Sequence, residues 1–193
     1  MVNACRCLWF MLLLAVPAAL GAAEVTVHAS RHGDVLYVEA SAEFAADRYR
    51  VWQVLTDYNH LADFIPGMRV SRILERRRGT VIVEQKGDVR LLFVTYPIEV
   101  TLAIEEFPHG RIVSRAVSGN FLEMHNAYYL EAQQERIRLR YAGRMTPDFL
   151  VPPLIGTIMF RKNVEAQFGA LVDEILRRQQ AAAQPPAQQL PRP

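Results

Sequence analysis

The chain has 193 residues, 22 Lys+Arg against 20 Asp+Glu for a formal charge of +2, and 51% apolar side chains. So even a balance gives no bulk attraction to nucleic acid or to an anionic membrane, and it excludes a charge-driven nucleic-acid binder. The length suits one domain with a sizeable core.

Residues Met1 to Ala23 carry one positive charge (Arg6), an apolar run from Leu8 to Val16, a Pro17 breaker and small residues at Ala18, Ala19, Gly21, Ala22 and Ala23. This is the layout of a secretory signal peptide with cleavage near Ala23, and an uncleaved N-terminal anchor is the alternative. Cys5 and Cys7 precede the apolar run instead of following it, which argues against a lipoprotein. Both cysteines of the chain lie in that leader, so a mature domain over 24–178 relies on its core without disulfides.

Val25 to Ala29 reads as a short strand and Arg31-His32-Gly33-Asp34 as a turn. Leu36, Val38, Ala40, Ala42 and Phe44 then alternate with polar neighbours, the period of a half-buried strand, so the two pieces make a hairpin. Asp47 is placed to cap a helix over 47–56, with Tyr49, Val51, Trp52 and Leu55 at helical spacing. A second short helix ends at Pro66-Gly67.

An antiparallel meander follows. Arg69 to Glu75 and Thr80 to Gln85 are candidate strands around the solvated Arg76-Arg77-Arg78 turn; Gly87 marks a bend or bulge before Leu91-Leu92-Phe93-Val94. Pro97 opens an alternation with Ile98, Val100, Leu102 and Ile104 on one face, and Ile112 to Val117 runs back. Leu122 to Ala132 and Arg136 to Met145 form the last hairpin, with Met124, Asn126, Tyr128 and Leu130 on one face of its first strand. On its second strand Ile137, Leu139, Tyr141, Gly143 and Met145 oppose a column of Arg136, Arg138, Arg140 and Arg144. That column reads as a solvated face, since Glu123 and Glu131 next door offer cross-strand partners.

Pro152-Pro153 ends the sheet and starts a long helix over 153–178, about 38 Å at 1.5 Å per residue, with an apolar face that includes Leu154, Ile158, Val164, Phe168, Leu171 and Ile175. Arg177-Arg178 suits its last turn. Gln179 to Pro193, built from Ala, Gln and Pro without an apolar period, reads as a disordered tail.

Chemistry-bearing motifs are scarce: no H-E-x-x-H, no C-x-x-C, no Gly-rich phosphate loop and no G-x-S-x-G. Of the histidines, His28, His32, His60 and His109 fall in or beside turns or at a helix end, and no pair has metal-ligand spacing on one element. His125 sits mid-strand, with a parity that points it outward.

The stretch Val51-Trp52-x-Val54-Leu55-Thr56-Asp57-Tyr58-x-x-Leu61-x-x-Phe64-Ile65-Pro66-Gly67, the Val83-Glu84-Gln85 strand with Gly87, the Leu92-Phe93 pair and Pro152-Pro153 occur in an order that resembles the START-like (SRPBCC) superfamily. Within it, the resemblance is to the polyketide cyclase/dehydrase and coenzyme-Q-binding branch, over about residues 35 to 178. It implies an α+β helix-grip fold: a curved antiparallel sheet of about seven strands around the C-terminal helix, with two short helices after the first sheet strand. It also implies an apolar cavity between sheet and helix that takes a hydrophobic small molecule such as a lipid, quinone or polyketide-like compound.

The residues placed on the cavity are Phe64, Met68, Val100, Leu102, Met124, Asn126, Tyr128, Leu139, Tyr141, Ile158 and Phe168, with Asn126, Tyr128 and Tyr141 orienting a polar head. Phe64, Ile65, Met68, Phe149, Leu150 and Val151 flank the mouth as a lid, as an edge making transient membrane contact, or as ordinary packing. A noncatalytic carrier or sensor, periplasmic or secreted, monomeric and without metal or cofactor, is the expected function. A cyclase or dehydratase in the same cavity is the alternative. Some relatives resemble ribosome-association toxins, a role that an exported protein does not meet.

Overall fold

The computed structural model describes residues 23–183 apart from 92, 93 and 135. The expected leader up to residue 22, the Leu92-Phe93 pair and residues 184–193 of the expected tail lie outside the described residues. The strands are β1 Val25–His32, β2 Val35–Phe44, β3 Met68–Arg77, β4 Thr80–Leu91, β5 Val94–Phe107, β6 Arg111–Gly119, β7 Phe121–Gln133 and β8 Arg136–Pro147. Helix α1 (Arg48–Leu55) and a one-turn 3-10 helix (Leu61–Asp63) separate β2 from β3, and α2 (Pro153–Ala183) follows β8.

One antiparallel sheet in the order β1-β2-β8-β7-β6-β5-β4-β3 grips α2. This is the expected α+β helix-grip architecture, with eight strands instead of about seven. The N-terminal arm β1 is a full edge strand, paired with β2 along its whole length, and the short helices follow that hairpin instead of a single strand.

Alternation sets which side chains meet α2. Leu36, Val38, Ala40, Ala42 and Phe44 of β2 are all buried, and the registers carry that parity across the sheet in rows. One inner row runs Glu106, Ile112, Tyr128, Tyr141, Ala40 and Val27 from β5 to β1. The next runs Ile104, Ser114, Asn126, Gly143, Val38 and Ala29. On the outer face Arg138 pairs with Glu43, Arg140 with Glu131 at 3.1 Å and Arg144 with Glu123 at 2.8 Å. The arginine column is thus a solvated ion-pair face, each pair contributing about 1 kcal/mol or less.

β4 continues unbroken through Gly87, and the expected irregularity lies on its partner: β3 shifts register between Met68 and Val70, opposite Gly87 and Lys86. A Cβ at Gly87 would lie 2.4 Å from the Gly67 carbonyl oxygen, which accepts the Asp88 N–H at 2.8 Å. The residue serves close backbone approach. Pro97 falls inside β5, at a point where β6 has not begun to pair, so its missing N–H is not needed there.

Asp47 caps α1 by accepting from the backbone N–H of Tyr49 at 2.8 Å and Arg50 at 3.1 Å, a contribution of about 1 kcal/mol. Val51, Val54 and Leu55 turn inward from α1. Opposite them, Phe168, Leu171, Val172 and Ile175 of α2 complete the core, each large side chain stabilising by about 1.5–3 kcal/mol. Helix α2 runs to Ala183, into the segment read as tail, because Gln and Ala there are good helix formers next to an established helix.

Candidate functional site

Between the sheet and the first half of α2 lies a hollow of about 140 Å³. Met68, Val100, Met124 and Tyr141 line it, together with Leu36 and Met145, which share their inward parity. Phe121 also lines it, although simple parity would send it outward with Glu123. The register shift between Phe121 and Glu123 leaves Leu122 as an extra residue, 71% exposed, and returns Phe121 to the interior. A bulge of this kind leaves no mark in the sequence.

The remaining predicted residues fall elsewhere. Leu102, Leu139 and Phe168 are packed into the core, away from the hollow, because α1 and the second half of α2 fill the space beneath their part of the sheet. Phe64 is half-buried with the Arg178 guanidinium over its ring, near the far end of α2. Ile158 is 54% exposed and does not line the site. At about 100° per residue, Phe160, Asn163, Val164 and Gln167 define the hollow-facing side of α2, and Ile158 lies about 180° from their centre.

Asn126 and Tyr128 stand at the floor, beside Tyr141. The Tyr141 hydroxyl donates to Asn126 Oδ1 at 2.9 Å, and its ring meets that of Tyr128 at 4.9 Å between centroids. Gly143 makes room for this bond, since a Cβ there would lie 2.6 Å from the Tyr141 hydroxyl oxygen. Burial raises the Tyr128 phenol to about 12, and burial with the neighbouring Tyr128 raises Tyr141 as well, so both remain neutral hydroxyls.

Lys86 and Asp88 border the hollow with their charges paired, Lys86 with Glu84 and Glu99 and Asp88 with Arg69. The amides of Gln85 and Asn163 border the hollow and make no hydrogen bond among the described residues, whereas Gln167 donates to the Pro66 carbonyl at 3.3 Å. Gln85 follows from the Val81, Val83 alternation, so its position was readable; Asn163 depends on the rotation of α2. His125 points outward, with Nε2 3.4 Å from Glu123.

The β8–α2 linker closes the mouth. Phe149 stacks on Tyr96 at 5.0 Å and meets Phe121 edge-on at 6.3 Å. The Val151 carbonyl accepts from Arg31 Nη1 at 2.6 Å, and Gly156 leaves space for the Val151 side chain against the first turn of α2. Leu150 between them is 79% exposed. At the opposite end, Glu174 binds Arg177 and Arg178, and Arg178 reaches Asp57 at 2.9 Å, tying α2 to the turn after α1. Hydrogen bonds from Arg177 first, and from Arg178, outweigh burial and hold the Glu174 carboxyl down at about 2.

A curved sheet closed on a C-terminal helix, with a mostly apolar hollow between them, defines a START-like helix-grip domain. Residues 44–171 match the family described as polyketide cyclase / dehydrase and lipid transport, and the chain belongs to that family. A comparison with curated proteins gives no match. Among solved structures, the Zhui aromatase/cyclase from Streptomyces sp. R1128 superposes with a TM-score of 0.64 at 20% identity, covering 79% of this chain and 98% of that one. A START superfamily protein from Mycobacterium smegmatis gives 0.61 at 13% identity, covering 74% and 98%. A STAR-related lipid transfer protein from Xanthomonas axonopodis gives 0.55 at 12% identity, covering 80% and 99%. At such identities the likeness is one of fold.

Proposed function

We propose that this chain is an exported carrier or sensor of a hydrophobic small molecule, a lipid, quinone or polyketide-like compound, held between the sheet and α2. The observation that carries the reading is the chamber: apolar walls from β2, β7, β8 and α2, with the unpaired amides of Gln85 and Asn163 on hand to orient a guest. Relatives that include an aromatase/cyclase and a STAR-related lipid transfer protein support this class of guest.

At about 140 Å³ the hollow is below the roughly 300–1,000 Å³ of ordinary ligand pockets. Loading therefore widens it, with linker residues 148–152 as the moving lid. The exposed Leu122 and Leu150, next to the lining residues Phe121 and Phe149, support transient contact with a membrane during exchange. The leader read over residues 1–23 supports delivery to the periplasm or beyond.

The test is to purify the mature domain from its native host, extract it with organic solvent and identify bound molecules by mass spectrometry. A stoichiometric lipid or quinone is the expected result. An empty protein that turns over an aromatic or polyketide-like substrate, with Tyr128→Phe or Tyr141→Phe losing turnover but not binding, would replace the carrier with a cyclase or dehydratase.

A further inference from the structure

The closed hollow has a size and a polarity that together narrow its guest. Its volume is about 140 Å³, and an apolar cavity of about 150 Å³ accepts one benzene ring. A second fused ring or a folded acyl chain does not fit until the lid moves. Three methionines and three phenylalanines surround the space: Met68, Met124 and Met145 from the sheet, with Phe121, Phe149 and Phe160. Thioether sulfurs and aromatic rings both make favourable contacts with an aromatic guest, and the unbranched methionines adapt to its outline.

Strand parity removes charge from the interior. On β4, Val83 and Gln85 face inward, whereas Lys86 and Asp88 occupy positions of the opposite parity. Their side chains pair on the outer face, Lys86 with Glu84 and Glu99 at 3.4 Å each and Asp88 with Arg69 at 3.2 Å. The polar groups left for a guest, among the described residues, are neutral. They are the amides of Gln85 from the sheet and Asn163 from the helix, and the Tyr141 hydroxyl oxygen, whose proton goes to Asn126. An ionised head would enter this space without a counter-charge, at a large desolvation cost. A carbonyl or hydroxyl oxygen costs far less, and each amide offers it two N–H donors and a carbonyl acceptor.

We infer that the closed hollow is a seat for a single uncharged six-membered ring carrying a carbonyl or hydroxyl oxygen, with Gln85 and Asn163 as its specificity-determining residues, and that it discriminates against carboxylate and phosphate heads. The inference rests on the carrier reading and names the end of the guest that enters first. Any longer body lies toward the linker and is the part that displaces the lid.

NMR titration of the intact protein tests this at the methionine methyl groups, because Met68, Met124 and Met145 line the seat. The probes are phenol, toluene, benzoate and 2-naphthol. Phenol and toluene share one shape, and phenol is expected to bind about fivefold more tightly. Benzoate is expected to bind at least about tenfold more weakly than phenol, and 2-naphthol no more tightly than phenol, because its second ring must open the lid. Gln85→Leu and Asn163→Leu are each expected to cut the phenol advantage to about twofold or less with toluene affinity unchanged. Equal binding of phenol and toluene, or benzoate binding as tightly as phenol, would overturn the recognition of a neutral oxygen. Tighter binding of 2-naphthol would overturn the one-ring limit. A variant that loses toluene along with phenol would make the amides structural and overturn their role. Methionine signals unmoved by every probe would overturn the whole inference. The carrier reading is judged apart from it, by the solvent extract of protein from its native host: a bound molecule there keeps that reading, and an empty extract with silent probes overturns both.

Discussion

Gly143→Ala is the sharpest probe of the chamber floor. The new methyl would lie 2.6 Å from the Tyr141 hydroxyl oxygen, 3.0 Å from its ring carbon Cζ and 3.1 Å from Asn126 Oδ1. No rotation of a rigid ring on a packed strand relieves three such contacts, so Tyr141 must tilt away from the sheet and into the hollow. Overpacking costs about 1–3 kcal/mol and the broken Tyr141–Asn126 bond about 1 kcal/mol more. For a domain of this size, a loss of about 2–3 kcal/mol lowers the melting temperature by roughly 5–10 °C. The displaced ring takes on the order of one water's volume, about 30 Å³, from the chamber, so affinity for a two-ring probe falls by roughly three- to tenfold. Calorimetry and probe titration measure the two effects. Tyr141→Phe removes the closest clashing atom, so the double variant is expected to be more stable than the two single losses add up to, by about 1 kcal/mol. Additive losses, or a Gly143→Ala protein with unchanged melting and binding, would refute this geometry.

Arg31→Ala removes the donor that holds the Val151 carbonyl and is expected to speed probe dissociation by about fivefold in stopped-flow measurements, with a modest loss of stability. Leu150→Asp and Leu122→Asp, at exposed positions, are expected to leave melting within about 1 °C while cutting co-sedimentation with lipid vesicles by about tenfold. Glu174 makes stability depend on pH in a defined direction: its carboxyl is depressed from 4.5 to about 2. The stabilisation is therefore present above the unfolded value and lost as pH falls through the folded one, about 1–2 kcal/mol after allowance for solvent screening. Glu174→Gln is expected to flatten that part of the denaturation profile between about pH 5 and pH 2.

The period-two and helical patterns carried most of the fold. The β2, β5 and β8 alternations, the Asp47 cap and the α2 start at Pro153 are local consequences of side-chain parity and backbone chemistry, and each is legible without tertiary information. The chamber is a different kind of object. Parity says that Leu102 and Leu139 face inward, as Met124 and Tyr141 do, but only the placement of α1 decides which inward residues meet helix and which meet empty space. Ile158 was lost to a rotation of α2 that a broad apolar face leaves undetermined, and Phe121 to a bulge.

The two ends of the grip are held by different physics, and that difference bears on exchange. At the base, α1 buries Val51, Val54 and Leu55, while Glu174, Arg178 and Asp57 bind α2 to the following turn, so opening it would expose core and break charge-assisted bonds together. At the mouth, the linker is held by Phe149, stacked on Tyr96 and edge-on to Phe121, by the buried Val151, and by hydrogen bonds from Arg31 to the Val151 carbonyl and from the Asp148 N–H to the Asn120 carbonyl at 3.0 Å, the ring contacts and hydrogen bonds contributing about 1 kcal/mol each. Local opening is expected at the end away from the Glu174–Arg178–Asp57 network, which is why the 148–152 linker is proposed as the lid. A chamber too small for a whole guest in its closed form is then consistent with carriage: the guest's apolar body supplies, on loading, the contacts that the displaced lid gives up.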